Sequence, residues 1–174
     1  MEVKLENFTE NNIKLTFDWI QDSEFRRLFL MNGEPDWQNH VKYFKSILQD
    51  ETQKVFAIYA EGTHIGNCGF KNIKGNEAEL WIYIGDNSYK SKGLGKEACK
   101  KLIETGMKEF SFERIYLHLA DFNLVAKNMY KKLGFIEVEL DEQSKSVWAG
   151  KGIKIVKMQY VGGEKMKIAM MQPA

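Results

Sequence analysis

A short loop rich in lysine and glycine, followed directly by a helix, is the part of this sequence best suited to chemistry. The loop consists of Lys90, Ser91, Lys92, Gly93, Leu94, Gly95 and Lys96. Apolar residues recur at every fourth position from there to Phe110, which predicts an amphipathic helix that opens at about Gly95. Free main-chain N–H groups and the positive end of the dipole make a helix start an anion site. The pattern indicates a phosphate or pyrophosphate site, with an ordinary strand–helix connection as the alternative. It matches neither a Walker loop nor a Rossmann fingerprint.

A second motif combines polar and aromatic residues at helical spacing. Asn123 and Tyr130 are seven residues apart, which is two helical turns, so they share one face with Ala126. Asn123 also suits an N-cap. Gly134 suits a C-cap that ends the helix just before Phe135. The spacing therefore predicts a helix between these two caps.

The hydrophobic pattern predicts the elements that must position both motifs. Alternating apolar residues predict strands at 3–8, 54–60, 63–71, 77–84, 114–120, 135–140 and 151–161. Apolar residues at helical spacing predict helices at 9–20, 25–29, 36–49, 95–110 and 123–133, and a polar loop is predicted at 141–145. A helix joins the strands at 77–84 and 114–120, so these two strands are expected to be parallel.

Length and composition favour one cytoplasmic domain. The 174 residues suit a single domain at 1–161 with an ambiguous tail at 162–174. A net charge of +1 gives no reason to expect nucleic acid or an anionic membrane as a partner. No apolar run approaches the roughly 20 residues of a membrane span, and the acidic start does not resemble a signal peptide. Cys68 and Cys99 lack metal spacing and are expected to be buried free thiols, and the scattered histidines indicate no metal site.

The two motifs stand in a fixed order along the chain. They read Lys90-x-x-Gly93-x-Gly95 and Asn123-x-x-Ala126-x-x-x-Tyr130-x-x-x-Gly134-Phe135. Together they resemble the Gcn5-related N-acetyltransferase (GNAT) family, in the branch of ribosomal-protein-alanine, small-amine and amino-sugar acetyltransferases. The match extends from the first predicted strand to about Tyr160. One departure is Lys90, where the family usually has glutamine or arginine, so that a cation is kept but bidentate contact is lost.

The resemblance implies an α+β fold in three layers (α/β/α). This GNAT fold has a mixed, mostly antiparallel twisted sheet of about seven strands, flanked by helices, with one parallel pair splayed apart. Acetyl-CoA would occupy the gap, with its pantetheine arm along the strand at 77–84 as an added strand and its pyrophosphate on the loop at 91–96. The residues expected to bind it are Ile82, Ile84, Lys90, Ser91, Lys92, Gly93, Leu94, Gly95, Lys96, Asn123, Ala126 and Tyr130.

The resemblance also implies roles in acetyl transfer to an amine. An alanine–glutamate pair at the start of this strand in the family matches Ala78 and Glu79. Glu79 is therefore expected to take the amine proton, acting through a water molecule, with a structural carboxylate as the alternative. Tyr130 is expected to protonate the leaving thiolate. Neither motif contains a cysteine, so direct transfer without an acyl-enzyme is expected.

The acceptor is expected on the strand face that carries Glu79. Glu77, Trp81 and Tyr83 share that face because alternate residues of a strand point the same way. The two aromatic rings suit a sugar ring or an aliphatic amine, or they simply pack. His118, on the parallel neighbouring strand, is more consistent with a satisfied core histidine than with a catalytic role.

The function that follows is an acetyl-CoA-dependent N-acetyltransferase acting on the primary amine of a small molecule, such as an amino sugar or its nucleotide. A protein N-terminus of the ribosomal-protein type is the second choice of acceptor. A non-catalytic acyl-CoA-binding domain on the same fold is a further alternative. A homodimer is compatible with such folds, and no metal, nucleic acid or membrane partner is expected.

Overall fold

One mixed sheet holds every strand in residues 1–162, the part of the chain that the computed structural model describes. The strands are Val3–Asn7 (β1), Lys54–Ala60 (β2), Thr63–Lys74 (β3), Glu77–Ile84 (β4), Arg114–Ala120 (β5), Phe135–Val138 (β6) and Ile155–Tyr160 (β7). They lie in the order β1-β2-β3-β4-β5-β7-β6. Only β4 and β5 are parallel among the neighbouring pairs of this described part. The predicted mixed, mostly antiparallel sheet is confirmed, whereas the predicted tail lies, beyond Gly162, outside the described residues.

Six α-helices accompany the sheet within the same residues. They are Ile13–Trp19 (α1), Ser23–Leu28 (α2), Trp37–Gln49 (α3), Leu94–Glu109 (α4), Leu124–Leu133 (α5) and Glu142–Gly150 (α6). None of these described helices combines the length and the apolar character that crossing a bilayer requires. The helices α1 to α3 stand between β1 and β2 along the chain, and α4 joins the two parallel strands.

Strand alternation divides β4 between two hydrophobic cores. Leu80 and Ile82 belong to the larger core with α4 and α5, which also holds Tyr130. Trp81 points the other way and packs against the smaller core, which α1 and α3 build with β2. The sheet therefore lies between two helical layers, as the predicted α/β/α arrangement requires.

The strands β4 and β5 separate after a short stretch of pairing. Their paired positions are Glu77 with Arg114, Ala78 with Ile115, and Glu79 with Tyr116. Beyond Glu79 the rest of β4 has no described partner on that side, while β5 continues to pair with β7 as far as Ala120. A V-shaped gap therefore opens between the two strands, toward the loop that precedes α4.

Helix α6 corrects the predicted loop at 141–145 and shortens the last strand. The carboxylate of Asp141 accepts a hydrogen bond from the N–H of Ser144 at 2.8 Å, which caps the helix start. None of the residues of α6 is buried, so the sequence lacks the apolar stripe by which helices are predicted. Because the helix runs to Gly150, β7 begins at Ile155 rather than at Lys151.

Candidate active site

The loop before α4 has the geometry of an anion-binding helix start. Gly93 is the N-cap and has a φ of +77°, a left-handed conformation that glycine adopts without strain. The first main-chain hydrogen bond of the helix runs from the N–H of Glu97 to the carbonyl of Gly93 at 3.2 Å. The N–H groups of Leu94, Gly95 and Lys96 therefore have no acceptor inside the helix.

The space around Gly95 shows what a ligand would require there. A β-carbon built at Gly95 would lie 3.7 Å from the nearest protein atoms, on Ile84 and Met129, which is ordinary contact. Packing inside the protein thus does not require glycine at this position, whereas a ligand resting on the main chain would. Lys90 and Lys92 are exposed beside this surface and add positive charge. These residues fit a phosphate-bearing ligand.

Glu79 is buried at the point where β4 and β5 separate. Its carboxylate accepts a hydrogen bond from Nδ2 of Asn72 at 3.0 Å, and it lies 3.2 Å from Nδ1 of His118 and 3.6 Å from Nζ of Lys71. Burial raises the pKa of Glu79, but these three neighbours together outweigh burial, so the pKa lies below its ordinary value. The carboxylate is therefore ionised at neutral pH.

His118 is not the satisfied core histidine that the sequence favours. Its side chain keeps 21% of its surface exposed, and its Nδ1 faces the carboxylate of Glu79. Its Nε2 is buried and has no hydrogen-bond partner among the described residues. One nitrogen of the ring is therefore engaged by a carboxylate, and the other is left without a partner.

Glu77 shares a strand face with Glu79 but lies at the closed end of the parallel pair. Its carboxylate is 3.5 Å from Nη1 of Arg114, and its side chain is 34% exposed. Two residues of strand separate the two glutamates by about 6.6 Å. The structure therefore gives the two carboxylates different surroundings, an exposed ion pair for Glu77 and a buried cluster for Glu79.

Tyr130 projects from α5 into the larger core. Its side chain is 6% exposed, and its ring packs against Phe135 with the centroids 5.5 Å apart. Burial raises the pKa of Tyr130 well above its ordinary value, so the phenol keeps its proton at neutral pH. The side-chain oxygen of Asn123 accepts a hydrogen bond from the N–H of Ala126 at 3.4 Å, which makes it the predicted N-cap of α5.

The two cysteines lie in the larger core as free thiols. Cys68 on β3 and Cys99 on α4 are both buried. Burial raises the pKa of Cys99 to about 12 and raises the pKa of Cys68 as well. A thiolate is the form of cysteine that attacks an acyl group, so neither residue is suited to act as a nucleophile at neutral pH.

The two aromatic residues of β4 differ in exposure. Trp81 is partly exposed and stacks on Tyr83 with the ring centroids 5.8 Å apart. Tyr83 is only 8% exposed, accepts a hydrogen bond from Nδ2 of Asn67 at 2.8 Å, and packs edge-on against Phe25 of α2. The predicted pocket wall is corrected accordingly, because Tyr83 is held in the packing between β4 and α2 while Trp81 still presents a surface.

A family model decides to what class of protein this arrangement belongs. The model described as the acetyltransferase (GNAT) domain matches residues 2–136. The chain belongs to the GNAT family of acetyltransferases. This GNAT chain is also similar to the acetyltransferase PseH of Campylobacter jejuni, with 25% identity over 143 residues that make up 80% of this chain and 88% of that protein.

Solved GNAT structures have the same fold. Spermidine N-acetyltransferase from Vibrio cholerae, in complex with CoA and spermine, matches with a TM-score of 0.77 at 17% identity, over 94% of this chain and 97% of that one. PseH from Campylobacter jejuni, in complex with acetyl coenzyme A, matches with a TM-score of 0.67 at 19% identity, over 91% of this chain and 97% of that one. The protein is an N-acetyltransferase with acetyl-CoA as its acetyl donor.

The GNAT chain places its two predicted catalytic residues on opposite faces of the sheet. Glu79 shares its face with Trp81, toward α1 and α3, whereas Tyr130 lies in the core on the other face. The sequence did not reveal that Lys71 and His118 surround Glu79. Lys71 pairs with Glu79 across the β3–β4 hairpin, but an irregularity between Lys71 and Lys74 shifts the register near the turn. Because of this shift, counting residues outward from the turn does not predict that Lys71 and Glu79 are paired.

Proposed function

We propose that this GNAT enzyme transfers an acetyl group directly from acetyl-CoA to the primary amine of a small molecule, an amino sugar or its nucleotide. The observation that carries the proposal is the partly exposed ring of Trp81, two residues from Glu79 on the face that α1 and α3 cover. A covered face suits a compact acceptor better than an extended chain. An aromatic ring suits the apolar side of a sugar.

The charges on this face favour an acceptor that carries an anionic group. The carboxylates of Glu77 and Glu79 both have cationic partners within the protein. Lys157 is the cross-strand neighbour of His118, lies 4.7 Å over the ring of Tyr116, and forms no ion pair within residues 1–162. Its ammonium group is therefore available to the phosphate of a sugar phosphate or sugar nucleotide.

Binding of acetyl-CoA is proposed to use the loop before α4 and the free edge of β4. The unpaired N–H groups at the start of α4, with the flanking lysines, hold its phosphates. The main chain at Ile82 and Ile84 forms hydrogen bonds with the pantetheine arm, which lies along β4 like an added strand. Asn123 and Ala126, at the start of α5, contribute from the opposite side of the gap.

Catalysis is proposed to depend on Glu79 and Tyr130. Acetyl-CoA supplies the activated acetyl group as a thioester. A primary amine with a pKa near that of lysine, about 10.4, is mostly charged at neutral pH, so a proton must leave it before it can attack. The ionised carboxylate of Glu79 promotes removal of this proton through a group that lies between the carboxylate and the amine. The protonated phenol of Tyr130 supplies a proton to the departing sulfur.

A polyamine is the second candidate acceptor, because the Vibrio cholerae protein was solved with spermine. A polycation needs carboxylates that lack other partners. The carboxylates of Glu77 and Glu79 are already paired with Arg114 and Lys71, respectively. A protein N-terminus needs an open groove, which a face covered by α1 and α3 does not favour.

A homodimer stays a prediction.

An acceptor screen tests the proposed function. Free thiol released from acetyl-CoA is followed with glucosamine 6-phosphate, nucleotide-linked amino sugars, spermidine and peptides with free N-termini. We expect the highest kcat/KM for an amino sugar that carries phosphate. A higher value for spermidine or for a peptide would overturn the proposed acceptor class, and no thiol release with any amine would overturn the proposed function as a whole.

Replacing Gly95 with alanine should weaken CoA binding at least tenfold without loss of stability. Its β-carbon has room within the protein, and alanine stabilises a helix by about 0.5–1 kcal/mol over glycine. A diphosphate resting on the main chain would meet the added methyl group. Isothermal titration calorimetry measures the CoA affinity, and thermal unfolding measures the stability. Gly150→Ala is the matched control, because a β-carbon there meets open space in α6; equal CoA affinity in both variants would contradict the proposed diphosphate site.

Replacing Lys157 with glutamine should raise the KM for glucosamine 6-phosphate about tenfold, since a hydrogen bond to a charged group contributes about 1.5–3 kcal/mol. The KM for glucosamine, which has no phosphate, should change less than about twofold on the same reasoning. Steady-state thiol release with both acceptors makes the comparison. Lys154→Gln is the control, because Lys154 is 81% exposed and pairs with Asp121 instead. Equal effects on the two acceptors would exclude Lys157 as the phosphate contact.

A further inference from the structure

The contact between Glu79 and His118 uses only one of the two ring nitrogens. The carboxylate lies 3.2 Å from Nδ1 of the ring, and Nε2 has no partner in the described part of the chain. A buried polar atom without a hydrogen-bond partner costs about 1–3 kcal/mol of stability. Such an atom in a candidate active site therefore suggests a functional role. We infer that Nε2 of His118 is the atom that takes the proton of the acceptor amine, with Glu79 as its positioning residue. This inference rests on the proposed function.

The hydrogen-bond partner determines which nitrogen of the ring carries the proton. An ionised carboxylate can only accept hydrogen bonds, and the neighbours of Glu79 keep it ionised at neutral pH. Nδ1 of His118 must therefore carry the hydrogen that points to Glu79. In the neutral ring Nε2 is then a bare acceptor, which is the form that a general base requires.

The position of the pair along the strands suits this task. Glu79 and Tyr116 form the last paired position of the parallel strands, and His118 lies two residues further on, about 6.6 Å along β5. His118 therefore faces the beginning of the gap that takes acetyl-CoA in the proposal. The ring keeps 21% of its side-chain surface exposed, so a small side-chain shift would present Nε2 to an acceptor. Catalytic hydrogen bonds commonly tighten only in the complex.

The charged and titratable groups around the ring come from every neighbouring element. Glu79 on β4 and Lys71 on β3 lie on one side. Tyr116 precedes it on β5, and Lys157 is its cross-strand neighbour on β7. Asp141 is the N-cap of α6; hydrogen bonds from Ser144 are the main cause of its lowered pKa, and His118 is close enough to lower it further. The two carboxylates would offset the positive charge that the ring gains with the proton.

The transfer step balances with this assignment. The ammonium form of the acceptor gives its first proton to Nε2 of His118, from where it passes to water. The neutral amine attacks the thioester carbonyl, the C–N bond forms, and the C–S bond breaks with its electron pair on sulfur. The nitrogen gives its second proton to Nε2, and the sulfur takes one from the phenol of Tyr130. Exchange with solvent restores both side chains, and the products are the amide, the thiol of CoA and one proton.

Nuclear magnetic resonance of the protein labelled with ¹⁵N-histidine tests the pair without any acceptor. The resonances of His118 are assigned by their loss in His118→Asn. In the neutral form of the ring we expect the hydrogen on Nδ1 in the wild-type protein, and a larger share of the tautomer with the hydrogen on Nε2 in Glu79→Gln. A neutral wild-type ring with its hydrogen on Nε2 would overturn the inference, because that nitrogen could not take a proton.

Kinetics then distinguish a base from a structural residue. The asparagine of His118→Asn can keep a hydrogen bond to Glu79 but offers no ring nitrogen, so kcat with glucosamine 6-phosphate should fall about 100-fold at pH 7. Added imidazole should restore part of the activity of His118→Ala and none of that of Tyr130→Phe. Wild-type thiol release with unchanged kcat in His118→Asn would overturn the inference alone. Absence of thiol release in the wild-type enzyme with every amine would instead overturn the proposed function.

Discussion

Replacing Glu79 with glutamine should lower kcat at pH 7 by about 10²- to 10³-fold and leave the KM for acetyl-CoA within about twofold. Glutamine has the size of glutamate, and its amide oxygen can still accept the hydrogen bond from the ring of His118. The substitution therefore removes the negative charge and little else. Without that charge, no carboxylate among the described residues contacts the ring to offset the positive charge that it gains with the amine proton, because Glu77 on the same strand pairs with Arg114. Steady-state thiol release with the best acceptor of the screen measures both parameters.

Two controls separate this effect from a general loss of structure. Glu104→Gln makes the same chemical change on an exposed position of α4 and should leave kcat unchanged. The loss in Glu79→Gln should also shrink above the pKa of the acceptor amine, about 10.4 for an amine like that of lysine and lower for an amino sugar, because the amine has then already lost its proton. A loss that is equal at all pH values would show that Glu79 acts on structure rather than on proton removal.

The stability of Glu79→Gln should depend on pH in a definite direction. The pKa of Glu79 is lower in the folded protein than its ordinary value of 4.5. The ionised carboxylate therefore stabilises the folded state above that value, and this contribution is lost as the pH falls through the folded-state pKa. The difference in unfolding free energy between wild type and variant should be largest above about pH 5 and should vanish in stronger acid. Urea unfolding at several pH values measures it.

The elements that carry the two motifs could be predicted from sequence because local signals agree with the tertiary structure there. The strand from Glu77 to Ile84 has apolar residues for both of its covered faces, and a short polar segment joins it to the glycine-rich helix start at Gly93. Asn123 and Gly134 mark the two ends of α5 by their own capping chemistry. These signals lie within a few residues of each other, so no long-range contact is needed to interpret them.

The surroundings of the predicted catalytic residues depend on contacts between distant parts of the chain. His118 meets Glu79 only because β4 and β5 pair in one particular register, and a shift of one residue would turn His118 to the other face. Tyr83 is buried because α2, which lies about 55 residues earlier in the chain, packs over it. Helix α6 was missed for the opposite reason, since it buries none of its residues and leaves no apolar pattern. Local sequence patterns thus predict the elements that bury an apolar face, but not α6 and not which side chains meet.

Replacing Tyr130 with phenylalanine should lower kcat at pH 7 by about 10²-fold or more, with CoA affinity and stability nearly unchanged. The ring still packs against Phe135, and only the hydroxyl is lost from a residue that is 6% exposed. Burial raises the pKa of Tyr130, so the wild-type phenol is always protonated at neutral pH and can supply a proton to the leaving sulfur. Steady-state kinetics, calorimetry with CoA and thermal unfolding measure the three quantities.

Tyr160→Phe is the matched control for this prediction. Tyr160 packs against the same ring of Phe135, with the centroids 5.3 Å apart, but it lies on β7 outside the gap between β4 and β5, so its hydroxyl should not affect kcat. The deficit of Tyr130→Phe should also narrow above about pH 9, because a thiol with a pKa of about 8.5 can then leave as the thiolate without a donor. If the two variants lose kcat equally, or if the deficit of Tyr130→Phe grows with pH, the phenol of Tyr130 is not the acid of this reaction. A deficit in kcat that is confined to Tyr130→Phe and that narrows at high pH would instead support the phenol of Tyr130 as the acid.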